Sequence, residues 1–494
     1  MRNIAYGIGL VLLCSCSGLI YENDSYSLFP DKVVQGEYVS IAESPDRIVS
    51  NLNGESYIWE RKNDISAFPE LTTPYPVEKA VYNMSIDECI NAVEPDGTLR
   101  TGLEWGGVWT RDVSYSTILS MAYMQPQAAM TSLLCKINSK GEIIQDTGTG
   151  GAWPCSTDRQ IWVGAAWEIY KVTGSREWLE KVYPVAKKSL EVDIRTIYDE
   201  RTGLAKGESS FIDWRKNSYP LWMESADIYD SKCLGTNIVH YVALTSAAEM
   251  GRILGDAASA EIFDAKASAL KEAVNRHLWM DDKGYYAQFL AGRNDDILYT
   301  KSETLGQSLA ILYGVAEGER ADRLSQSMPV VDFGAPVFWP WIPDQPPYHN
   351  RAVWPFVQSF WVQASAKTGN EAGVLHGIAA VWRAAMMYAT NKENYVANDG
   401  NWRGTQVNSS NMLWSLSGSL GITFRVLMGI QYNDSQALTF APAVPRALSA
   451  ERKVKGFRYR DAVLDITVRG YGDVIRSFSI DGEQKEQPVF PAEM

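Results

Sequence analysis

The apolar residues of this chain follow two kinds of spacing. From about Val81 to about residue 430 they recur at i, i+3, i+4 and i+7, the repeat of a helix with one buried face. This predicts helices near 111–124, 126–138, 157–173, 176–198, 234–254, 257–278, 301–316, 318–327, 352–368, 371–387 and 408–428. Several are separated by breaks that leave room only for a reversal: Thr173-Gly174-Ser175, Gly255-Asp256 and Thr368-Gly369-Asn370. Glycine accepts the left-handed backbone that ends one helix, and Ser, Asp or Asn caps the first N–H groups of the next. Helices joined this way pack as hairpins. Longer loops rich in Gly, Pro and Trp alternate with these turns, at 103–109, 148–154, 207–221, 330–350 and 393–408. Short turns at one end and elaborated loops at the other predict a mainly α helical toroid with one functional face.

The second spacing is alternation by two. Residues up to about 80 are rich in Ser, Pro, Asn and Asp, with β-branched runs at Lys32-Val33-Val34 and Arg47-Ile48-Val49. They are expected to form a tether followed by irregular or β structure. In the tail, from near Gln436, Phe457-Arg458-Tyr459-Arg460 and residues 462–468 alternate, and Gly470 to Asp473 makes a turn. This predicts a small antiparallel β domain. The expected divisions are 1–15, 16–80, 81–430 and 431–494.

The first segment is an address. Arg2 precedes a short apolar run, Ile8 to Leu13, which suits an export signal and is too short for a bilayer span. Leu13-Cys14-Ser15-Cys16 resembles the lipobox of bacterial lipoproteins. That resemblance implies cleavage before Cys16, acylation of Cys16, and a periplasmic or outer-membrane protein held only by its N-terminal lipid. The other cysteines, Cys89, Cys135, Cys155 and Cys233, lack C-x-x-C spacing, so zinc is not expected; an exported chain could pair them, but a domain this large needs no staples, which favours free, buried thiols.

Charge narrows the partners. The chain carries 46 Lys and Arg against 59 Asp and Glu, a net −13, which disfavours nucleic acid. The four His, at 240, 277, 349 and 376, are too scattered for a histidine metal site, and no metal or cofactor is expected. Seventeen Trp suit stacking on flat, partly apolar ligands such as sugar rings, although most are expected in the core.

Four loops carry candidate chemistry. In Trp105-Gly106-Gly107-Val108-Trp109-Thr110-Arg111-Asp112, Asp112 reads as a helix cap or as a hydroxyl acceptor beside a Trp platform. In Glu208-Ser209-Ser210-Phe211-Ile212-Asp213-Trp214-Arg215, Asp213 lies between apolar neighbours, which suits a general acid, or pairs with Arg215 on the surface. Tyr348-His349-Asn350-Arg351-Ala352-Val353-Trp354-Pro355 is an aromatic, polar loop in which His349 alone would be a structural hydrogen bonder. Glu393-Asn394-Tyr395 leads to Asp399-Gly400-Asn401-Trp402-Arg403, and an isolated Glu393 would cap a helix or pair with Lys392.

These loops and the hairpin series resemble the six-hairpin, (α/α)6-barrel glycosidases, over roughly residues 80 to 430. The likeness is to the group holding trehalase, processing α-glucosidase I, mannosylglycerate-type hydrolases and glycogen-debranching glucosidases. Trp109 to Asp112 resembles a W-x-R-D sugar-binding loop, and Glu208 to Asp213 an E-S-G-x-D segment whose Asp is the general acid. Here a Ser and an extra residue replace the Gly and single spacer, so Glu208 is the alternative acid. Tyr348 to Pro355 resembles Y-H-N-G-x-x-W-P with Arg351 in place of Gly, and Glu393 to Tyr395 an E-N-Y segment that supplies the general base. The resemblance implies an exo-acting, inverting glycoside hydrolase on α-linked glucose- or mannose-type oligosaccharides. Asp213 and Glu393 would be catalytic. Arg111, Asp112, Glu208, His349 and Asn350 would meet the sugar, with Trp105, Trp109, Trp214, Trp354 and Trp402 as pocket walls. Two other readings use the same scaffold: a lyase or unsaturated uronidase built on Tyr348, His349 and Arg351, and a glycan-binding lipoprotein without catalysis.

Overall fold

A computed structural model describes residues 18–145, 153–213, 218–292, 296–433 and 437–491. The export signal, Cys16 and Trp214 lie outside the described residues.

Helices dominate the middle of the chain. They are α1 (Pro76–Asn91), α2 (Thr110–Ser116), α3 (Pro126–Leu134), α4 (Ile161–Thr173), α5 (Arg176–Thr196), α6 (Leu234–Leu254), α7 (Ala257–His277), α8 (Thr304–Leu312), α9 (Glu319–Ser327), α10 (Pro355–Lys367), α11 (Glu371–Tyr388) and α12 (Leu413–Gly421). The tight turns form as their sequences require. Gly174, Gly255 and Gly369 take left-handed backbone at φ 66°, 84° and 66°. Ser175, Asp256 and Asn370 then cap the following helices, accepting from the N–H of Trp178, Ser259 and Gly373. Pro stands in the first turn of α1, α3 and α10, where its missing N–H costs nothing.

The even-numbered helices pack on one another in order, α2 on α4, α4 on α6, α6 on α8, α8 on α10 and α10 on α12, and α12 packs on α2. Odd-numbered helices lie against them: α1 on α12, α3 on α4, α5 and α7 on α6, and α11 on α10. Each long loop therefore leads into an even-numbered helix, and each tight turn leads out of one. Both α2 and α12 run on through a wide π turn, Thr117–Met121 and Ile422–Leu427.

Three expectations need correction. Helix α1 was absent from the predicted series, and it crosses the expected division at residue 80. Its periodicity is masked because Asn83, Ser85, Asp87 and Glu88 are buried with its apolar residues. The segment before it holds the β structure expected there, but the sheet begins already at Tyr21 and leaves little tether: β1 (Tyr21–Glu22), β2 (Ser27–Leu28), β3 (Lys32–Gln35), β4 (Tyr38–Ser44), β5 (Arg47–Leu52) and β6 (Glu55–Glu60) form a regular antiparallel sheet in sequential order. Its inward residues Leu28, Val33, Ile48 and Leu52 join Val77, Val81 and Met84 of α1 and Ile378, Met386 and Met387 of α11 in one cluster. The tail is β structure as expected but not a separate domain. Strand Ala450–Tyr459 pairs with Ala462–Gly470 on one side and with β7 (Glu70–Thr72) on the other.

Cys89, Cys155 and Cys233 are buried thiols, as read. Cys135 is free but exposed, because it caps the end of α3 where the chain turns back to the surface. Among the described residues no helix is long and apolar enough to cross a membrane, and no cluster of His, Cys, Asp and Glu is arranged to hold a metal ion.

Candidate active site

The loops entering α2, α6, α10 and α12 meet at one face. Glu393 is at its centre. The strand after it, Tyr395–Val396, pairs antiparallel with Ala352–Val353, which brings the loop of Tyr348 alongside. The Tyr348 hydroxyl donates to Glu393 Oε1 at 3.1 Å, and Trp105 Nε1 donates to Oε2 at 3.0 Å. Burial pushes the Glu393 carboxyl up to about 7, the two hydrogen bonds opposing and the charges of Asp213 and Glu104 adding to it.

Asp213 is held by Arg111, with 2.7 Å between Nη2 and Oδ2. Its neighbour is thus a guanidinium, and Trp214, which with Ile212 was expected to enclose it, lies outside the described residues. Arg215, the other partner considered, lies outside the described residues. Arg111 is buried; burial works against its charge, but Asp213, Asp158, Asp112 and Glu208 outweigh it and hold the guanidinium protonated. Arg111 and Asp112 come into place because Trp109 is the residue before α2, which puts both in its first turn. Asp112 is therefore not the cap. It is the third helical residue, where a negative charge suits the helix N-terminus.

Glu208 is buried and accepts from the Ser156 hydroxyl. Between Glu208 and Asp213 the chain is pinned from below. Asp158 Oδ2 accepts from Phe211 N and Ser210 Oγ, both at 2.9 Å, and Tyr219 bonds Ser209 N and Ile212 O. Phe211 is forced to φ 61°, a conformation that a non-glycine residue adopts at a cost and that concentrates at functional sites. The Phe211 ring is clasped by His349, Trp354 and Phe356, each edge to face.

That clasp corrects three of the expected sugar contacts. His349 is buried, stacks on Trp354 at 4.9 Å and bonds Ser218 Oγ through Nδ1; burial depresses it to about 3, so it is a neutral structural residue. Trp354 is 1% exposed and donates to Tyr348 O, which makes it core and not pocket wall. Asn350 spends its amide on its own loop, bonding Ile342 N, Ile342 O and Gln345 O. Trp402 keeps a partly exposed ring, but the Lys392 ammonium already sits 3.7 Å over it. Trp105 and Trp109 remain half-buried with their rings 6.1 Å apart, open at the face.

Arg351 takes φ 54°, which explains why the resembled loop pattern carries Gly there. Asp158 and Glu88 were not read as parts of this site, and Tyr348 was read only under the lyase alternative. Glu88 of α1 is buried and binds Thr390 Oγ1, Asn391 N and Asn391 Nδ2, fixing the loop that leads to Glu393; burial pushes it up to about 7. Only the Tyr of Y-H-N carried any sequence signal. A buried Asp or Glu inside a helix leaves none.

With this geometry in view, the likenesses to known proteins are informative. Residues 137–330 match the family model of the bacterial alpha-L-rhamnosidase six-hairpin glycosidase domain, a span that includes Glu208 and Asp213 but not Glu393. A GH78-family rhamnosidase of Bacillus sp. GL1 superposes with a TM-score of 0.59 at 17% identity, covering 84% of this chain and 41% of that one. A sialidase structure superposes at 0.64 and 12% identity, covering 82% and 39%. The N,N'-diacetylchitobiose phosphorylase of Vibrio furnissii is 24% identical over 184 residues, 34% of this chain and 22% of that protein. This chain thus spans well under half the length of these relatives. The superpositions show a shared fold, and the family match likens residues 137–330 to a six-hairpin glycosidase domain.

Proposed function

We propose that the protein is an exo-acting glycoside hydrolase that releases a terminal α-linked sugar with inversion. The observation that carries this reading is the pair of carboxyl groups presented by separate loops. Glu393 is buried, held by Trp105 and Tyr348, and feels the charge of Asp213; Asp213 is held by Arg111. In this reading Asp213 protonates the leaving oxygen and Glu393 takes a proton from water on the opposite face of the ring. That chemistry needs about 6.5–9.5 Å between carboxyls. The helix order described above supports a closed (α/α)6 barrel beneath them. The family match favours an α-L-rhamnoside as first substrate, with the α-glucosides and α-mannosides expected from the loop motifs beside it. Cys16 would tether the enzyme as a periplasmic or outer-membrane lipoprotein.

A second assignment swaps the acid and the base. It is favoured by one observation: Arg111 touches Asp213, whereas Glu393 is pushed up to about 7. The experiment is turnover of 4-nitrophenyl α-L-rhamnoside, α-D-mannoside and α-D-glucoside, with and without phosphate, by wild type, Asp213→Asn and Glu393→Gln. We expect phosphate-independent release of the inverted anomer. Loss of the acid spares activated aryl leaving groups, and loss of the base does not. Asp213→Asn retaining such activity supports the first assignment, and Glu393→Gln retaining it supports the swap. Undiminished hydrolysis by both variants would sink the hydrolase site, and phosphate dependence would make the enzyme a phosphorylase.

A further inference from the structure

We infer that Trp105 is a positioning residue for Glu393 as well as a platform for the terminal sugar, so that ring docking and water activation share one rigid unit. The inference rests on Glu393 being the base. Its ground is geometric. The indole N–H donates to Oε2 at 3.0 Å and the Tyr348 hydroxyl to Oε1 at 3.1 Å, so the carboxylate is gripped at both ends and its plane is fixed. One lone pair on each oxygen is then left for water and substrate.

The backbone under Trp105 belongs to the same unit. Trp105 O accepts from Gly102 N, Leu103 N donates to Ser410 O at 2.9 Å, and the Glu104 carboxylate accepts from Ser410 N and Ser409 Oγ. Glu393 N donates to Ser409 O at 3.0 Å. The loop that carries Trp105 and the backbone of Glu393 are therefore joined through Ser409, which bonds the Glu104 carboxylate by its hydroxyl and Glu393 N by its carbonyl. Gly102 lets the loops approach this closely, since a Cβ there would stand 2.3 Å from Ser409 Oγ. A sugar stacking on the indole presses on a ring whose N–H fixes the base.

The chemical consequence is specific. An N–H donor favours the ionised carboxylate, the form that accepts a proton. In the step, a water O–H proton moves to Glu393 and its oxygen bonds the anomeric carbon. The glycosidic C–O bond breaks, and the leaving oxygen takes the proton of Asp213. The charged and titratable groups that act on Glu393 are Tyr348, Asp213, Glu104 on the Trp105 loop and Lys392 beside it. Removing the indole N–H leaves all of them in place.

The test uses Trp105→Phe, which keeps an aromatic face and removes the donor, on 4-nitrophenyl α-L-rhamnopyranoside or the panel glycoside that is turned over. The expected result is a kcat about tenfold lower, a KM within about twofold, and the acid limb of the kcat–pH profile moved to higher pH. Tyr348→Phe moves the limb the same way. If Trp105→Phe does not fold, 3-benzothienylalanine at position 105 keeps the bicyclic ring and replaces N–H by sulfur. A wild-type limb and kcat, or a change in KM alone, while Glu393→Gln is inactive, overturns the inference and leaves the base assignment standing. An active Glu393→Gln overturns both.

Discussion

Single residues set the conditions under which this site is stable. Glu88, Glu303 and Glu393 are all buried, and burial pushes their carboxyls up to about 7, 8 and 7. Each holds more protons folded than unfolded, so its stabilisation is complete below about 4.5 and is lost as pH rises through 7 to 8. The buried His240 and His349, depressed to about 4 and 3, act with the opposite sign but only below 6.5. Between pH 6.5 and 8 the glutamates therefore dominate. Urea denaturation is expected to give a stability that falls across this interval, with a shallower slope in Glu88→Gln; a rising curve would contradict the burial of these groups. Gly207 makes a second prediction at this scale. It has φ 136°, and a Cβ would stand 2.4 Å from Thr157 Oγ1 and 3.0 Å from Cys155 O. Gly207→Ala is expected to cost roughly 3 kcal/mol in a thermal melt and to cut turnover by displacing Glu208.

At the scale of elements, legibility followed the caps. The turns at Gly174-Ser175, Gly255-Asp256 and Gly369-Asn370 were readable because glycine and a capping side chain stand where the backbone needs them. Helix α1 was missed because Tyr75 precedes it with no side-chain cap and its buried face mixes Asp, Glu, Asn and Ser with apolar residues. Helix α8 was drawn too long, at 301–316, because the buried Ser302 and Glu303 precede its start and extend its apparent pattern; Glu303 is its cap, accepting from Gly306 N at 2.8 Å. The site followed the same rule. Asp213 and Glu393 stood in loops with recognisable neighbours. The roles of Trp354 and Asn350 were misread because aromatic and amide residues look alike in sequence whether they face a ligand or hold a loop, and only the partners of Nε1 and Nδ2 separate the two. Asp158 carried no signal, since its importance lies in a bond to Phe211 N more than fifty residues away.

Across the whole molecule, the two β segments brace the helical body. Gln35 of β3 bonds Arg383 of α11, and Glu55 at the start of β6 pairs with Arg403 in the loop of Trp402. The tail is joined by a deeper contact. Arg452, in strand Ala450–Tyr459, meets Glu78 of α1 through Nε at 2.8 and 3.1 Å, and both side chains are fully buried. Removing one partner strands the other charge, so Arg452→Met alone is expected to destabilise by about 3–5 kcal/mol. The double variant with Glu78→Met should recover most of that loss. Denaturation midpoints of the two singles and the double would decide it, and additive losses would show that the pair is not coupled.

The Glu78–Arg452 contact also sets an order of events during synthesis. The two residues are 374 positions apart, and α1 packs on α12 as well. When α1 leaves the ribosome, Asp87 already has its partners in Trp59 and Asn63, but Asn391 and Arg452, which meet Glu88 and Glu78, are not yet made. The hairpins between can assemble as they emerge, but the first helix docks only after the last helix and the strand that follows it. A nascent chain stalled before residue 371 would thus expose the apolar face that α1 and the N-terminal sheet turn towards α11, and one stalled before residue 452 would still leave Glu78 without its arginine.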